Sequence, residues 1–183
     1  MKLSYKLFDP SSDKELLSNW LSSQEWDFHV NSKTTPEKVM KLIEEGSFTG
    51  EENQTFWIRN EQNLSIGLIR LFEMDDLEDG SPLFDLRILN EYRGQKVGET
   101  AVNWLTHYLF QNWSSLNRIE GTTRVDNFPM RKVFTKCGYV KEGHYRQSWP
   151  NAIGELKDTV RYAILRTDWI SKTSTPVNWN DDL

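Results

Sequence analysis

The sequence predicts a single α/β domain in which helices cover both faces of a mixed, largely antiparallel central sheet. The first observation is length, because 183 residues can bury the core of one domain. The second is periodicity: strand and helix patterns follow one another in the order β, α, α, β, β, β, α, β, α, β, β. The third is continuity, since no repeat or linker interrupts these patterns. We therefore expect one domain over residues 1–170 and a polar tail over 171–183.

The elements of the first half are delimited by turn and capping residues. A first strand stops at Asp9, and the capping-box spacing of Ser12 and Glu15 then predicts a helix from about residue 13. Thr35 and Pro36 have the types expected at the N-cap and first position of a second helix. The predicted elements are a strand at 3–8, these two helices, the second ending at Gly46, and two hairpin strands at 55–60 and 64–73.

Two irregular segments of the first half each allow two interpretations. The ring-rich segment 26–34 is either a packed connector or one wall of a substrate pocket, because loops often carry binding residues and aromatic rings also anchor loops. The acidic segment 73–80 is either a solvated turn or a feature that attracts a cationic substrate to a site.

The second half alternates strands and helices around a turn that contains glycine. Gly138 has the type expected just after a helix end, and Pro129 the type expected at a helix start. The predicted elements are a strand at 82–89, a helix from the turn to about Asn112, a strand at 118–125, a helix from Pro129, and strands at 139–148 and 155–167.

The turn at 92–98 joins the strand at 82–89 to the next helix, and this order is typical of an anion-binding site. The first turn of a helix has amide hydrogens with no partner inside the helix, so a phosphate is the natural occupant. The turn lacks the paired glycines of a dinucleotide fingerprint and the lysine-hydroxyl ending of a P-loop. Taken alone, the turn is a weak signal, because a tight strand-to-helix connection that binds no ligand is the more common case.

Composition argues against several classes of function. A net charge of -5 does not fit a nucleic-acid partner, which would need a basic face. No apolar run approaches the roughly 20 residues of a membrane span, and the N-terminus lacks the apolar core of a signal peptide, so we expect a cytoplasmic protein. The three histidines have no metal-ligand spacing, so no metal is expected. Cys137 lies on the apolar stripe of a helix and is expected to be inert.

Two segments, YRGQKVG from Tyr92 and DNFPMRKVFTKCGYVKEGHYR from Asp126, resemble the motifs of the GNAT family of acetyl-CoA-dependent N-acetyltransferases. The resemblance covers residues from about 3 to 167 and is strongest to the branch that includes the ribosomal-protein N-terminal acetyltransferases. It implies that acetyl-CoA donates its acetyl group directly to a primary amine of a small molecule, a peptide or a protein N-terminus. The expected assembly is a monomer or homodimer.

The resemblance also implies which residues contact acetyl-CoA. Backbone amides of the turn would hold the pyrophosphate, Asn127 would bond the pantetheine arm or simply cap its helix, and the strand end would contact the acetyl carbonyl. Leu89 and Asn90 are plausible for that carbonyl contact. Lys96 stands where the family pattern has a glycine. The implied cofactor-binding residues are Ile88, Leu89, Arg93, Gly94, Gln95, Lys96, Val97, Gly98, Glu99, Thr100 and Asn127.

For the residues that transfer protons, this sequence matches the family pattern less closely. Asp85 is the preferred general base for the attacking amine, although Asp85 and Arg87 share one side of the strand and could merely pair. Glu73, Asp75 and Asp76 are reserve candidates.

The usual acid of the family is a tyrosine, which this chain replaces with Phe134, and Met130 stands where the ribosomal-protein branch often has serine. Tyr145, Tyr139 or water would then protonate the leaving thiolate. The alternative functions are a non-catalytic acyl-CoA-binding sensor or interaction module of the same fold, and a structural domain whose turn binds nothing.

Overall fold

The computed structural model describes residues 1–74, 81–151 and 153–180. A 3-10 turn, Asn90–Tyr92, follows the fourth strand. The regular elements of the described residues are β1 (Ser4–Leu7), α1 (Pro10–Ser22), α2 (Pro36–Glu44), β2 (Gln54–Arg59), β3 (Ser65–Phe72), β4 (Leu83–Ile88), α3 (Val97–Asn112), β5 (Arg118–Arg124), α4 (Phe128–Lys136), β6 (Val140–Pro150), β7 (Leu156–Leu165) and α5 (Arg166–Ser171).

The strands form two antiparallel sheets that meet at the beginnings of β4 and β5. One sheet has the order β1-β2-β3-β4 and the other has the order β5-β7-β6. Near the meeting point the backbone amide of Glu120 donates to Ser81 Oγ at 3.1 Å. No backbone ladder joins β4 to β5 within the part of the chain that the structure describes. The α/β class with a largely antiparallel arrangement of strands is confirmed.

Helices cover both faces of the strands, and the alternation along β4 shows which residues face which helices. Phe84 and its alternate neighbours pack in the core that contains α3, while Asp85 and Arg87 contact the segment between α1 and α2. Arg124 at the end of β5 contacts that same segment, because its Nη1 donates to the backbone oxygen of Asp27. We call this face of the strands the α1 side.

Two predicted features differ from the structure. The N-cap of α1 is Asp9, whose carboxylate accepts from the backbone amide of Ser11 at 2.9 Å, rather than Ser12. Asp9 directly precedes Pro10, and a proline with its fixed φ suits the first helical position, so the helix begins three residues before the predicted start. The short helix α5 was predicted as the end of a strand and the start of the tail.

The chain beyond α5 is partly held against it. Buried Asp168 accepts hydrogen bonds from the backbone amide and hydroxyl of Thr175, at 2.9 and 2.7 Å. Trp179 is 55% exposed. Thr175, four residues after α5, is therefore tied to this helix through Asp168.

Candidate functional site

The glycine-bearing turn has the backbone geometry of an anion cradle. Gly94 and Lys96 both have positive φ, +74° and +64°, and Lys96 is the N-cap of α3. No side chain caps this helix end. The amides of Val97, Gly98 and Glu99 belong to the first turn, where no carbonyl within the helix can accept from them. The turn therefore presents unpaired amide donors and the positive end of a 16-residue helix dipole.

Tight packing holds the cradle between β4 and α4. A methyl group on Gly98 would lie 3.3 Å from Val133 Cγ2 and 3.5 Å from Ile88 Cδ1. The side chain of Glu99 is directed toward Lys136 of α4, with 3.4 Å between Oε2 and Nζ. Ile88 thus lies directly beside the turn, as a cofactor-binding role for that residue would require.

The side chains of the turn mostly bind the turn itself. Gln95 Nε2 donates to the carbonyl of Glu91 at 2.7 Å, and the Thr100 hydroxyl donates to the carbonyl of Lys96 at 3.1 Å. Arg93 Nε donates to the carbonyl of Ile88 at 3.2 Å. These side-chain groups are therefore engaged within the protein, and the predicted cofactor-binding roles of Arg93, Gln95 and Thr100 remain predictions.

Lys96 occupies a backbone conformation that favours glycine. The left-handed conformation costs a residue other than glycine roughly 1–2 kcal/mol of folding free energy. Part of this cost is offset because unfolded lysine has less backbone entropy to lose than unfolded glycine. We expect Lys96→Gly to raise the free energy of unfolding by about 0.5–1 kcal/mol in urea denaturation. Lys132→Gly is the control, because Lys132 lies within α4 and glycine there should cost about 1 kcal/mol. Equal effects of the two changes would contradict the explanation.

The amides at the end of β4 already have partners. The amide of Leu89 donates to the carbonyl of Ile66 at 3.0 Å, and the amide of Asn90 donates to Gln24 Oε1 at 3.0 Å. Both had been predicted to contact the acetyl carbonyl. In this conformation, such a contact at Asn90 would require Gln24 to move.

Asn127 acts as a capping residue in the structure. Its Oδ1 accepts from the amide of Met130 at 3.3 Å, and its Nδ2 donates to the Thr123 hydroxyl at 3.0 Å. Its helix α4 contacts the cradle through Val133 and Lys136, so Asn127 lies about 9–13 Å along the helix from those contacts. The role of Asn127 toward a pantetheine arm stays a prediction.

Asp85 belongs to a cluster with Arg87 and His29. Arg87 Nε donates to Asp85 Oδ2 at 2.8 Å, and His29 Nε2 lies 2.8 Å from Oδ1. Burial alone would raise the pKa of Asp85, but the charge of Arg87 and the hydrogen bond from His29 outweigh it and hold that pKa well below its usual range. A carboxylate with so low a proton affinity is a poor direct proton acceptor.

The aromatic residues considered as acids occupy very different places. Phe134 is buried and stacked on Tyr162, with ring centroids 5.0 Å apart. Tyr139 is also buried, and its hydroxyl bonds Thr106 at 2.8 Å, while burial raises its pKa. Tyr145 is 44% exposed on β6, with the guanidinium of Arg161 over its ring. Of the two tyrosines, only Tyr145 is accessible to a substrate.

The pairing of the strands shows that Tyr145 lies on the α1 side. Tyr145 pairs with Thr159, which pairs with Arg124. Directly paired residues share a face of the sheet, so Tyr145 and Arg124 lie on the same face, two strand spacings or roughly 10 Å apart. The structure therefore places the predicted residues Asp85 and Tyr145 on one side of the strands but on different sheets.

His29 and Gln24 reach the site from the segment between α1 and α2, and no sequence motif pointed to either residue. His29 had been treated as a histidine without metal-ligand spacing. The available signal was the ring-rich composition of 26–34, since Trp26 is buried and fixes the segment against β4. The burial of Trp26 fits a packed connector, and the contacts of His29 and Gln24 also fit one wall of a pocket, so both interpretations of this segment stay open.

The described ranges contain neither a metal-type cluster nor a helix suited to a membrane. In 1–74, 81–151 and 153–180, no group of three or more His, Cys, Asp and Glu residues is arranged to hold a metal ion. Over the same ranges, none of the helices combines the length and apolar character that a membrane crossing requires. The reserve candidates Asp75 and Asp76 lie outside the described residues.

Comparisons with known proteins agree on one family. The model of the acetyltransferase (GNAT) domain matches residues 6–140. An uncharacterized N-acetyltransferase of Bacillus subtilis, YnaD, is 26% identical over 168 residues, which are 85% of this chain and 96% of that protein. The spermidine N(1)-acetyltransferase of Vibrio cholerae is 25% identical over 118 residues, 64% of this chain and 66% of that protein.

Solved structures show the same fold. The crystal structure of spermidine N-acetyltransferase from Vibrio cholerae in complex with CoA and spermine superposes with a TM-score of 0.75 at 21% sequence identity. The superposition covers 92% of this chain and 98% of that one. A dodecameric structure of the Vibrio cholerae enzyme has a TM-score of 0.74.

Proposed function

Because the chain belongs to the acetyltransferase (GNAT) domain family, as an acetyl-CoA-dependent N-acetyltransferase, we propose that its acceptor is a primary amine of a small molecule or of a peptide or protein N-terminus. The amine attacks the thioester carbon directly, and CoA leaves as a thiol. No covalent enzyme intermediate is needed, so the chain's residues bind, orient and move protons.

The observation that carries this proposal is the uncapped first turn of α3 beside the end of β4. The amides of Val97 and Gly98 are proposed to bind the pyrophosphate of acetyl-CoA, with the positive end of the helix adding to the attraction. Lys96 and Arg93 add cations beside these amides. The acetyl group would then lie toward the α1 side, where the Asp85 cluster and Tyr145 are found.

The charges of the α1 side support an acceptor with a single amine. Four described carboxylates there each lie within 3.5 Å of a guanidinium nitrogen: Asp27 of Arg93, Asp85 of Arg87, Glu120 of Arg161 and Asp126 of Arg124. A polyamine carries several positive charges and would find no unpaired carboxylate among these residues. A monoamine or a peptide α-amine, neutral when it attacks, needs none.

A panel of acceptors tests the proposal. The purified protein is incubated with acetyl-CoA and an N-terminal peptide, spermidine, an amino sugar or a simple alkylamine, and products are identified by mass. We expect a mass increase of one acetyl group on a peptide or monoamine, at a higher rate than on spermidine. Faster acetylation of spermidine would overturn the acceptor class.

Calorimetry with acetyl-CoA and CoA separates the alternatives. Binding without transfer to any amine would favour the non-catalytic acyl-CoA sensor, which the departures at Lys96, Met130 and Phe134 motivate. Absence of binding by either ligand would contradict both the enzyme and the sensor.

A further inference from the structure

We infer that His29 accepts the proton released by the attacking amine, and that Asp85 is the positioning residue that orients the imidazole. The inference rests on the proposed function and deepens it, because it assigns the proton acceptor that the acetyl transfer requires. It replaces a direct role of the Asp85 carboxylate with a role exerted through His29.

The hydrogen bond between His29 and Asp85 determines which nitrogen of the ring is the base. An ionised carboxylate only accepts hydrogen bonds, so His29 Nε2 must carry the proton across the 2.8 Å contact to Oδ1. The other nitrogen, Nδ1, then has a free lone pair in the neutral ring. Nδ1 has no hydrogen-bond partner among the described residues and is shielded from bulk water.

The ring is held in this orientation from several directions. Trp26 is 1% exposed, its Nε1 donates to the carbonyl of Leu21 at 2.7 Å, and its own carbonyl accepts from the backbone amide of His29 at 3.1 Å. The guanidinium of Arg87 lies over the Trp26 ring and also holds the second oxygen of Asp85. An unpaired shielded nitrogen costs stability, and a role in proton transfer is a reason to retain it.

The charged groups around His29 come from four elements. Asp85 and Arg87 lie on β4, Arg70 faces Asp85 from β3, Arg124 contacts the same segment from the end of β5, and Asp27 lies within the segment itself. Arg70, Arg87 and Arg124 oppose an added positive charge on the ring, while Asp85 favours it. Among these groups, Asp85 is the one described as bonded to the ring, so its carboxylate determines which ring nitrogen carries the proton.

The proposed step balances in atoms and charge. The amine nitrogen forms a bond to the acetyl carbon, and one N–H bond breaks as its proton passes to Nδ1 through a single water molecule. The C–S bond then breaks, its electron pair remains on sulfur, and the thiolate takes a proton from the imidazolium or from solvent. Nδ1 is shielded in this conformation, so the relaying water reaches it only after a small displacement of the His29 side chain, 27% of which is exposed.

The test compares His29→Gln with the intact enzyme. Glutamine can still donate to Asp85 but cannot accept a proton. We expect kcat to fall about 100-fold or more, with little change in acetyl-CoA affinity, and the acidic limb of the pH profile of kcat/KM to disappear. The matched control is His144→Gln, because His144 lies 2.7 Å from Asp158 in a second histidine-carboxylate pair outside the proposed machinery. The control is expected to keep the wild-type rate and profile.

Asp85→Asn provides a second measurement that leaves the imidazole in place. An asparagine amide donates to Nε2, so the ring proton moves to Nδ1 and this nitrogen can no longer accept a proton. We expect kcat to fall about 10-fold or more. The double variant should be no slower than His29→Gln alone, because both changes remove one function.

The outcomes separate this inference from the proposed function. Wild-type protein that acetylates no amine would contradict the proposed function itself. An active wild type together with an unchanged rate and pH profile in His29→Gln would overturn only the role of His29. If His29→Gln does not fold, the Asp85→Asn variant provides the test, and an unchanged pH profile in that variant overturns the inference. Restoration of activity to His29→Ala by added imidazole supports the inference.

Discussion

Replacing Gly121 with alanine is expected to lower the free energy of unfolding by about 3 kcal/mol or more, measured by urea denaturation. A methyl group at this position of β5 would lie closer than 3.0 Å to Cζ and Cε1 of Phe134, and 3.3 Å from Cε1 of Phe84. Non-bonded carbons prefer separations of about 3.5–4.0 Å, so the ring or the strand would have to move. Phe134 is 1% exposed and has little room to retreat.

The cause of this expected loss is packing rather than backbone conformation. Gly121 is absent from the glycines with positive φ, so alanine can adopt its backbone without strain. The Phe134→Leu change shortens the offending side chain and serves as the partner in a double-mutant cycle. We expect the Gly121→Ala cost to shrink markedly in the Phe134→Leu background. Strictly additive costs would show that the clash with Phe134 is not the cause.

Replacing Arg166 with methionine is expected to cost about 2–4 kcal/mol of stability. The guanidinium donates to three backbone carbonyls at and beyond the C-terminus of α3, those of Phe110, Trp113 and Leu116. Its distances to the Phe110 and Leu116 oxygens are 2.8 and 2.7 Å. Methionine preserves much of the apolar stem but removes the charged donor from each of these carbonyls, although the Trp113 carbonyl keeps a bond from the backbone amide of Leu116 at 3.3 Å. It also removes a cation from the negative end of the helix.

Arg166→Lys is the matched comparison. Lysine keeps the positive charge but cannot reproduce a planar fork that reaches three acceptors, so we expect an intermediate loss of stability. Thermal and urea denaturation of the three proteins would measure the order. A lysine variant as stable as the wild type would show that charge alone, and not the three-way hydrogen bonding, stabilises this end of α3.

Capping residues and prolines in the sequence correctly predicted the helix starts that depend on residues within one turn. Thr35 caps α2 and Pro36 begins it, as the sequence indicated, because a capping hydroxyl and a fixed φ act within one turn. The same kind of signal gave the wrong start for α1, because both Asp9 and Ser12 have side chains that can cap a helix. Pro10 decided between them, since it fits the first position after Asp9.

The proton chemistry could not be predicted from spacing. Asp85 and Arg87 were recognised as a possible pair because they are two residues apart on one strand. His29 lies 56 residues from Asp85, and their contact exists only because Trp26 anchors the intervening segment against β4. Likewise, Phe134 was recognised as a replaced tyrosine, but its insertion against Gly121 depends on how α4 packs on β5.

The α/β class, most of the elements and the glycine-bearing turn before α3 could be predicted from the sequence. These features follow from periodicity, capping and glycine placement, which act over a few residues. Three features of the site became visible only in the folded chain: Asp85 is paired with Arg87 and His29, the amides of Leu89 and Asn90 are occupied, and Tyr139 is buried away from the site. Proton affinity and hydrogen-bond availability depend on burial and on charges a few ångströms away, and those neighbours come from distant parts of the chain.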